Sequence, residues 1–341
     1  MQNKTYNLYP ELPAKDFFTL KTGSMHDVYY EMCGNPKGAP VVFLHGGPGS
    51  GSNPTQRRFF DPAHYCIILI DQRGCGRSTP QGEISNNTTD DLLLDIDNIR
   101  EALGFQSWLV FGGSWGSTLA IGYALKFTER VNGLILRGIF LSRPQELNWF
   151  LGDITHFYPD AWQALIEYLP KESQQNVLQA YHDLVFSDDA KVSVPAAAQW
   201  NAYENAIMRL IPADTSHTST QKSNNSNQDS VYQKPLTTPS LTLEQGLIEV
   251  ARARVQIHYI VNDCFVDGEA MLANCHQLAH IPTVIVQGRY DMVCPPKSAW
   301  DLKQVMPHAE FYMIQDAGHS AMETGITSAL VRATEAFKSK V

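Results

Sequence analysis

The pentapeptide Gly112-Gly113-Ser114-Trp115-Gly116 sets a serine between an apolar run at residues 108–111 and a helix-like stretch at 117–127. Strand, sharp turn and helix with serine at the apex form a nucleophile elbow. Glycines are required around it because the serine backbone is strained and the neighbouring chain passes too close for side chains. The implied chemistry is attack of a serine hydroxyl on an acyl carbon. That attack needs a base, an acid to orient the base, and donors for the oxyanion. Their expected chain order is serine, acid, histidine, with the oxyanion loop upstream.

Each part has a candidate. A short buried-strand pattern at 41–44 runs into His45-Gly46-Gly47-Pro48-Gly49. This glycine-rich loop offers backbone N–H groups, so one oxyanion donor is assigned to Gly47 N–H and the other to Trp115 N–H. A second apolar strand at 283–287 ends in Gly288-Arg289-Tyr290-Asp291, and Asp291 is read as the triad acid. The last strand, 311–314, leads to Gln315-Asp316-Ala317-Gly318-His319, and His319 is read as the general base. Taken singly, such an aspartate is more often a turn former or helix cap, so the ordered set of four elements carries the reading. Asp316 is the rival acid, but three residues from His319 it is a poorer partner. His26, His64, His156, His258 and His308 show no partner pattern. No H-E-x-x-H or paired C-x-x-C spacing appears, so neither a metal site nor a cofactor is expected.

The elements that must hold these residues alternate. Apolar strands at 41–44, 67–70, 108–111 and 131–136 are separated by helical segments. In one of these Leu92, Leu93, Ile96, Ile99 and Leu103 share a face. That is the pattern of an α/β fold with a mostly parallel sheet covered by helices on both faces. It stops near Leu141 and resumes at Thr283, with helical, Trp- and Tyr-rich sequence between. The expected organisation is therefore a core of residues 1–140 and 281–341 with a helical cap at 141–280. Within the cap, residues 214–240 are dominated by Ser, Thr, Asn, Gln and Lys and read as a flexible surface loop.

The chain has 341 residues and a formal net charge of −9 without a basic block, which argues against nucleic acid or anionic membrane as partner. Residues 1–16 are polar, broken by Pro10 and Pro13, and do not read as a signal peptide. No stretch reaches the roughly 18 to 20 apolar residues of a transmembrane helix. Six scattered cysteines read as free thiols of a reducing cytoplasm. Cys75, in a glycine-rich loop, is either a reactive thiol at the site or an inert buried one. No interface signal is visible, so a monomer is the expectation.

Longer motifs narrow the reading. Besides the two glycine-rich loops, these are Asp71-Gln72-Arg73-Gly74-Cys75-Gly76-Arg77-Ser78, Leu136-Arg137-Gly138-Ile139-Phe140-Leu141, Tyr158-Pro159-Asp160-Ala161-Trp162 and the region of His258-Tyr259. On these the chain, apart from its polar insertion, resembles the proline iminopeptidases (prolyl aminopeptidases), serine exopeptidases of the α/β-hydrolase fold. The resemblance implies release of an N-terminal proline from small peptides by acylation of Ser114 and hydrolysis of the acyl-enzyme. It also implies amine binding by cap carboxylates. Trp200-Asn201-Ala202-Tyr203-Glu204 is similar to the family's stretch of aromatic, two residues, aromatic, glutamate, which carries that role to Glu204. The family's second glutamate precedes the His-Tyr pair by two residues, where this chain has Gln256. A glutamine that accepts one hydrogen bond without charge should weaken amine binding by on the order of 1 kcal/mol; alternatively Glu249 or Glu244 supplies the charge. Tyr203 stands where the family tends to have tryptophan.

Other functions on the same scaffold stay open, namely a broader-specificity aminopeptidase, an amidase or an esterase. A haloalkane dehalogenase or epoxide hydrolase would want aspartate at the elbow, and an intact Ser–Asp–His set argues against a silent binding protein.

Overall fold

The computed structural model describes residues 5–208, 210 and 241–340. Eight strands form one sheet: β1 (Asp16–Lys21), β2 (Asp27–Gly34), β3 (Ala39–Leu44), β4 (Tyr65–Ile70), β5 (Trp108–Ser114), β6 (Val131–Ile139), β7 (Thr283–Gly288) and β8 (Glu310–Ile314). Their spatial order is β1-β2-β4-β3-β5-β6-β7-β8. β2 runs antiparallel to β1 and β4, and all other pairs are parallel.

Burial explains which strands the sequence announces. β4, β5 and β7 are buried at every residue, as expected of strands covered on both faces, and they read as continuous apolar runs. β1 alternates between half-buried and exposed residues. That alternation belongs to an edge strand with one wet face. β1 and β2 form an antiparallel lead-in that the search for apolar runs, starting at residue 41, did not anticipate.

Helices cover both faces. α1 (Thr89–Ala102) starts at a Thr88/Asp91 capping box and buries Leu92, Leu93, Ile96 and Ile99. α2 (Trp115–Lys126) follows β5 directly, two residues earlier than the sequence suggests. Among the described residues six more helices lie between β6 and β7: α3 (Pro144–Phe150), α4 (Pro159–Glu167), α5 (Val177–Val185), α6 (Ala190–Ile207), α7 (Leu243–Val261) and α8 (Gly268–Asn274). α9 (Pro296–Val305) and α10 (Thr324–Phe337) complete the set. Two apolar clusters lie on the sheet, and a third, built around Tyr181, Trp200, Tyr203 and Ile257, belongs to the inserted helices.

The polar segment at 214–240 and its expected flexibility lie outside the described residues. Among the described residues no helix is long and apolar enough to cross a membrane. All six cysteines are buried and free.

Candidate active site

Ser114 ends β5 at φ 57° and ψ −129°, a left-handed conformation unusual for a residue with a side chain. Crowding enforces the turn. A Cβ on Gly112 would stand 2.0 Å from Gly116 O, and one on Gly116 would stand 2.1 Å from Leu44 O. Trp115 is the first residue of α2, so its N–H has no acceptor within the helix. Gly47, at φ 116°, lines the cavity together with Ser114.

A buried network fixes the oxyanion loop against the elbow. His45 Nδ1–H donates to Gly46 O (2.8 Å), which leaves Nε2 to accept from Gln72 N–H (3.0 Å). Burial pulls the His45 imidazole below its ordinary pKa, in keeping with this neutral form. Gln72 Nε2 donates to His45 O (2.9 Å), and Gln72 Oε1 accepts from Trp115 Nε1 (2.9 Å). Gln72 therefore ties the loop to the elbow. Sequence reasoning found its motif only through resemblance, since a lone glutamine after a strand carries no pattern.

Asp291 and His319 meet at the same sheet edge, both almost fully buried. His319 Nδ1 lies 2.8 Å from Asp291 Oδ2 and 2.9 Å from Oδ1. The carboxylate also accepts from Gln287 Nε2 (3.1 Å) and from the backbone N–H groups of Val293 (3.1 Å) and Cys294 (2.8 Å). Such a partner fixes the imidazole with its proton on Nδ1 and Nε2 as acceptor. Asp316, the rival, is exposed.

Nε2 does not reach the serine in a described hydrogen bond. Arg137 Nη1 sits 3.1 Å from it and donates to His319 O at 3.0 Å. Ser114 Oγ instead contacts Cys294 Sγ at 3.9 Å. Catalytic hydrogen bonds are often long before substrate arrives. Arg137, which sequence reasoning had placed only within a matching motif, thus stands at the base. Burial pushes the Cys294 thiol far up, so it is a neutral neighbour. Cys75 resolves as the inert alternative: it is buried, and burial together with Asp71 disfavours its thiolate.

Beyond Ser114 the cavity is walled by Phe140, Leu147, Phe150 and Ile260, with Glu204 and Gln256 also lining it. Glu204 comes from α6 and Gln256 from α7, two helices that pack together. Tyr259, on α7, packs against Trp115 with ring centroids 4.9 Å apart and planes tilted by 59°, and so docks that helix on the elbow. Tyr203 lies behind the wall, donating from its hydroxyl to Phe150 O (2.5 Å).

Gln256 is already engaged on both sides of its amide: its Oε1 accepts from Trp200 Nε1 (2.6 Å) and its Nε2 donates to Glu204 Oε1 (2.9 Å). Indole is a donor only, which fixes this amide orientation. Glu249 and Glu244 do not line the cavity: Glu249 Oε2 accepts from Asn201 (2.6 Å), and Glu244 is exposed in the first turn of α7. Among the described residues no group of three or more His, Cys, Asp or Glu side chains is placed to hold a metal.

The family model described as the alpha/beta hydrolase fold matches residues 39–326. The chain is 44% identical over 334 residues to a probable proline iminopeptidase of Leptolyngbya boryana, covering 97% of this chain and 96% of that one. It is 43% identical to the proline iminopeptidase of Arabidopsis thaliana (97% and 82% covered) and 42% identical to that of Neisseria gonorrhoeae (93% and 94%). Among solved structures, a putative lipase of Acinetobacter baumannii shares the fold at TM-score 0.58 and 16% identity, covering 96% and 90% of the two chains. The elbow on a mostly parallel sheet and these long matches lead to one assignment: the chain belongs to the alpha/beta hydrolase family, in the group of proline iminopeptidases.

Proposed function

We propose that the protein is a serine exopeptidase that releases an N-terminal proline from small peptides. The observation that carries this reading is a largely apolar cavity lined by both the Ser114 elbow and the Glu204 carboxylate. A prolyl ring fits apolar walls, and its secondary ammonium needs a carboxylate at the far end.

In this mechanism His319 Nε2 takes the Ser114 proton as Oγ attacks the scissile carbonyl, and Asp291 stabilises the imidazolium that forms. The Gly47 and Trp115 N–H groups hold the oxyanion. His319 then protonates the leaving amine, and water repeats the cycle on the acyl-enzyme; the chemistry consumes water alone. Arg137 leaves Nε2 when substrate brings Ser114 and His319 into line. Residues 141–280 act as a cap that closes the pocket, so chains extended beyond the N-terminal residue are excluded. The protein works as a cytoplasmic monomer.

Hydrolysis of prolyl-β-naphthylamide against alanyl-β-naphthylamide, with Ser114→Ala as blank, tests the proposal. A large ratio of kcat/KM that vanishes in the blank is expected. A ratio near one would move the protein to the second reading, a broader aminopeptidase, amidase or esterase. The engagement of the Gln256 amide with Trp200 and Glu204 is what favours that alternative.

A further inference from the structure

At the closed end of the cavity the supply of negative charge is small, and it is already engaged. Gln256 turns its oxygen to Trp200 and its amide N–H to Glu204. Arg252, one turn earlier on α7 and thus on the same face, forms an ion pair from Nη2 to the other Glu204 oxygen. Glu204, Arg252 and Gln256 together carry no net charge.

The second carboxylate lining the cavity shows what a permanent pairing looks like. Glu146 Oε1 accepts from Arg143 Nε (3.1 Å) and Nη2 (3.0 Å) and from Ser298 Oγ, while Oε2 accepts from Leu141 N–H (2.8 Å). It is saturated, and its guanidinium is held in turn by Asp301. Arg252 holds Glu204 through Nη2 alone, its Nε is buried without a partner, and its side chain is 23% exposed. A one-point contact beside solvent can be released; a fork with three further anchors cannot.

We propose that Arg252 is a specificity-determining residue, an internal counter-cation that occupies Glu204 in the free protein and that a substrate ammonium must displace to bind. This rests on the reading that the pocket takes an amine. Arg252 lowers affinity for charged amines and narrows the gap between a charged and a neutral ring. Gln256 adds to the effect by donating to Glu204 rather than accepting from substrate.

The test uses the full chain and two small inhibitors of similar shape, pyrrolidine, cationic at pH 7.5, and tetrahydrofuran, which is neutral. Inhibition is measured on prolyl-β-naphthylamide or, if that is not turned over, on an aryl ester whose hydrolysis requires Ser114. In the natural protein pyrrolidine should bind no more than about tenfold better than tetrahydrofuran. Arg252→Gln should tighten pyrrolidine roughly tenfold and lower KM for the prolyl substrate, leaving tetrahydrofuran and kcat little changed. Arg252→Lys, which keeps the cation, should stay close to the natural protein. Unchanged or weaker pyrrolidine binding in Arg252→Gln overturns the proposal. So does a preference for pyrrolidine of a hundredfold or more in the natural protein, a result that needs no variant to fold. Lack of prolyl turnover with retained ester hydrolysis would overturn the peptidase reading instead, and the inhibitor ratios would still decide the role of Arg252.

Discussion

Asp291 and Glu204 are both buried carboxylates of the candidate site, and they are held in different ways. Asp291 lies just beyond β7, and two of its donors are backbone N–H groups three residues or fewer away. Glu204 sits in the last turn of α6, where the backbone N–H groups are used by the helix, so its partners are side chains of α7. A carboxylate fixed by its own loop keeps its geometry whatever packs nearby. One fixed by another helix changes character with a single substitution there, as Gln256 illustrates. The structure thus separates a rigid reaction centre from an adjustable recognition end.

Substitutions should reveal that separation, beginning with the largest effect. Asp291→Asn leaves the shape intact but disturbs the tautomer of His319, and should cut kcat by about 10⁴-fold with KM little changed. Stopped turnover of prolyl-β-naphthylamide would measure it; a loss confined to KM would break the contrast. Glu204→Gln removes the carboxylate assigned to the amine and should lower kcat/KM by roughly 100-fold, mostly through KM. Steady-state kinetics with the same substrate decide between the two parameters.

A third substitution probes the scaffold beneath both ends. Asp71 accepts from Ser52 and Arg77. Burial alone would push its carboxyl up, but the hydrogen bonds from Arg77 and Ser52 outweigh burial and hold it below its ordinary value. A depressed folded value means stability that is present above the unfolded pKa and lost as pH falls through the folded one. Asp71→Asn should therefore cost about 2 kcal/mol near pH 7 in urea unfolding, and the gap should close below about pH 4. A gap constant with pH would remove the charge from the explanation. The smallest effect belongs to Gln256→Glu. It keeps an acceptor for Trp200 and adds a charge beside Glu204, so KM for the prolyl substrate should fall about fivefold.

The same contrast governs how much could be read in advance. Ser114 ends and Asp291 closely follows a strand buried at every residue, and such a strand leaves an unbroken apolar run in the sequence, whereas His319 follows the half-buried edge strand β8 and was found through the expected chain order of the triad. The order of those runs and their punctuation by glycine gave the reaction centre and most of the sheet. β1 and β2 escaped because half-buried antiparallel strands leave a weaker signal. At the recognition end, Glu204 was reached through resemblance, and Arg252 was not reached at all. Its partner lies 48 positions away on another helix, and no local period encodes such a meeting. The orientation of the Gln256 amide was equally hidden, because it depends on the Trp200 indole across the helix pair. Arg137 stood inside a matching motif, yet its place beside Nε2 comes from the crossing of β6 with the His319 loop.

The central claim is that one carboxylate serves the reaction and the other serves the amine. It is tested most directly by kcat/KM for prolyl-β-naphthylamide and for its N-acetyl derivative, measured in the natural protein, Asp291→Asn and Glu204→Gln. The free amine should be preferred at least about 100-fold in the natural protein. Asp291→Asn should slow both substrates and keep that preference, whereas Glu204→Gln should reduce it to the part that the cap imposes by excluding the acetyl group. Comparable turnover of the acetylated substrate by the natural protein, or a preference undiminished in Glu204→Gln, would contradict the account.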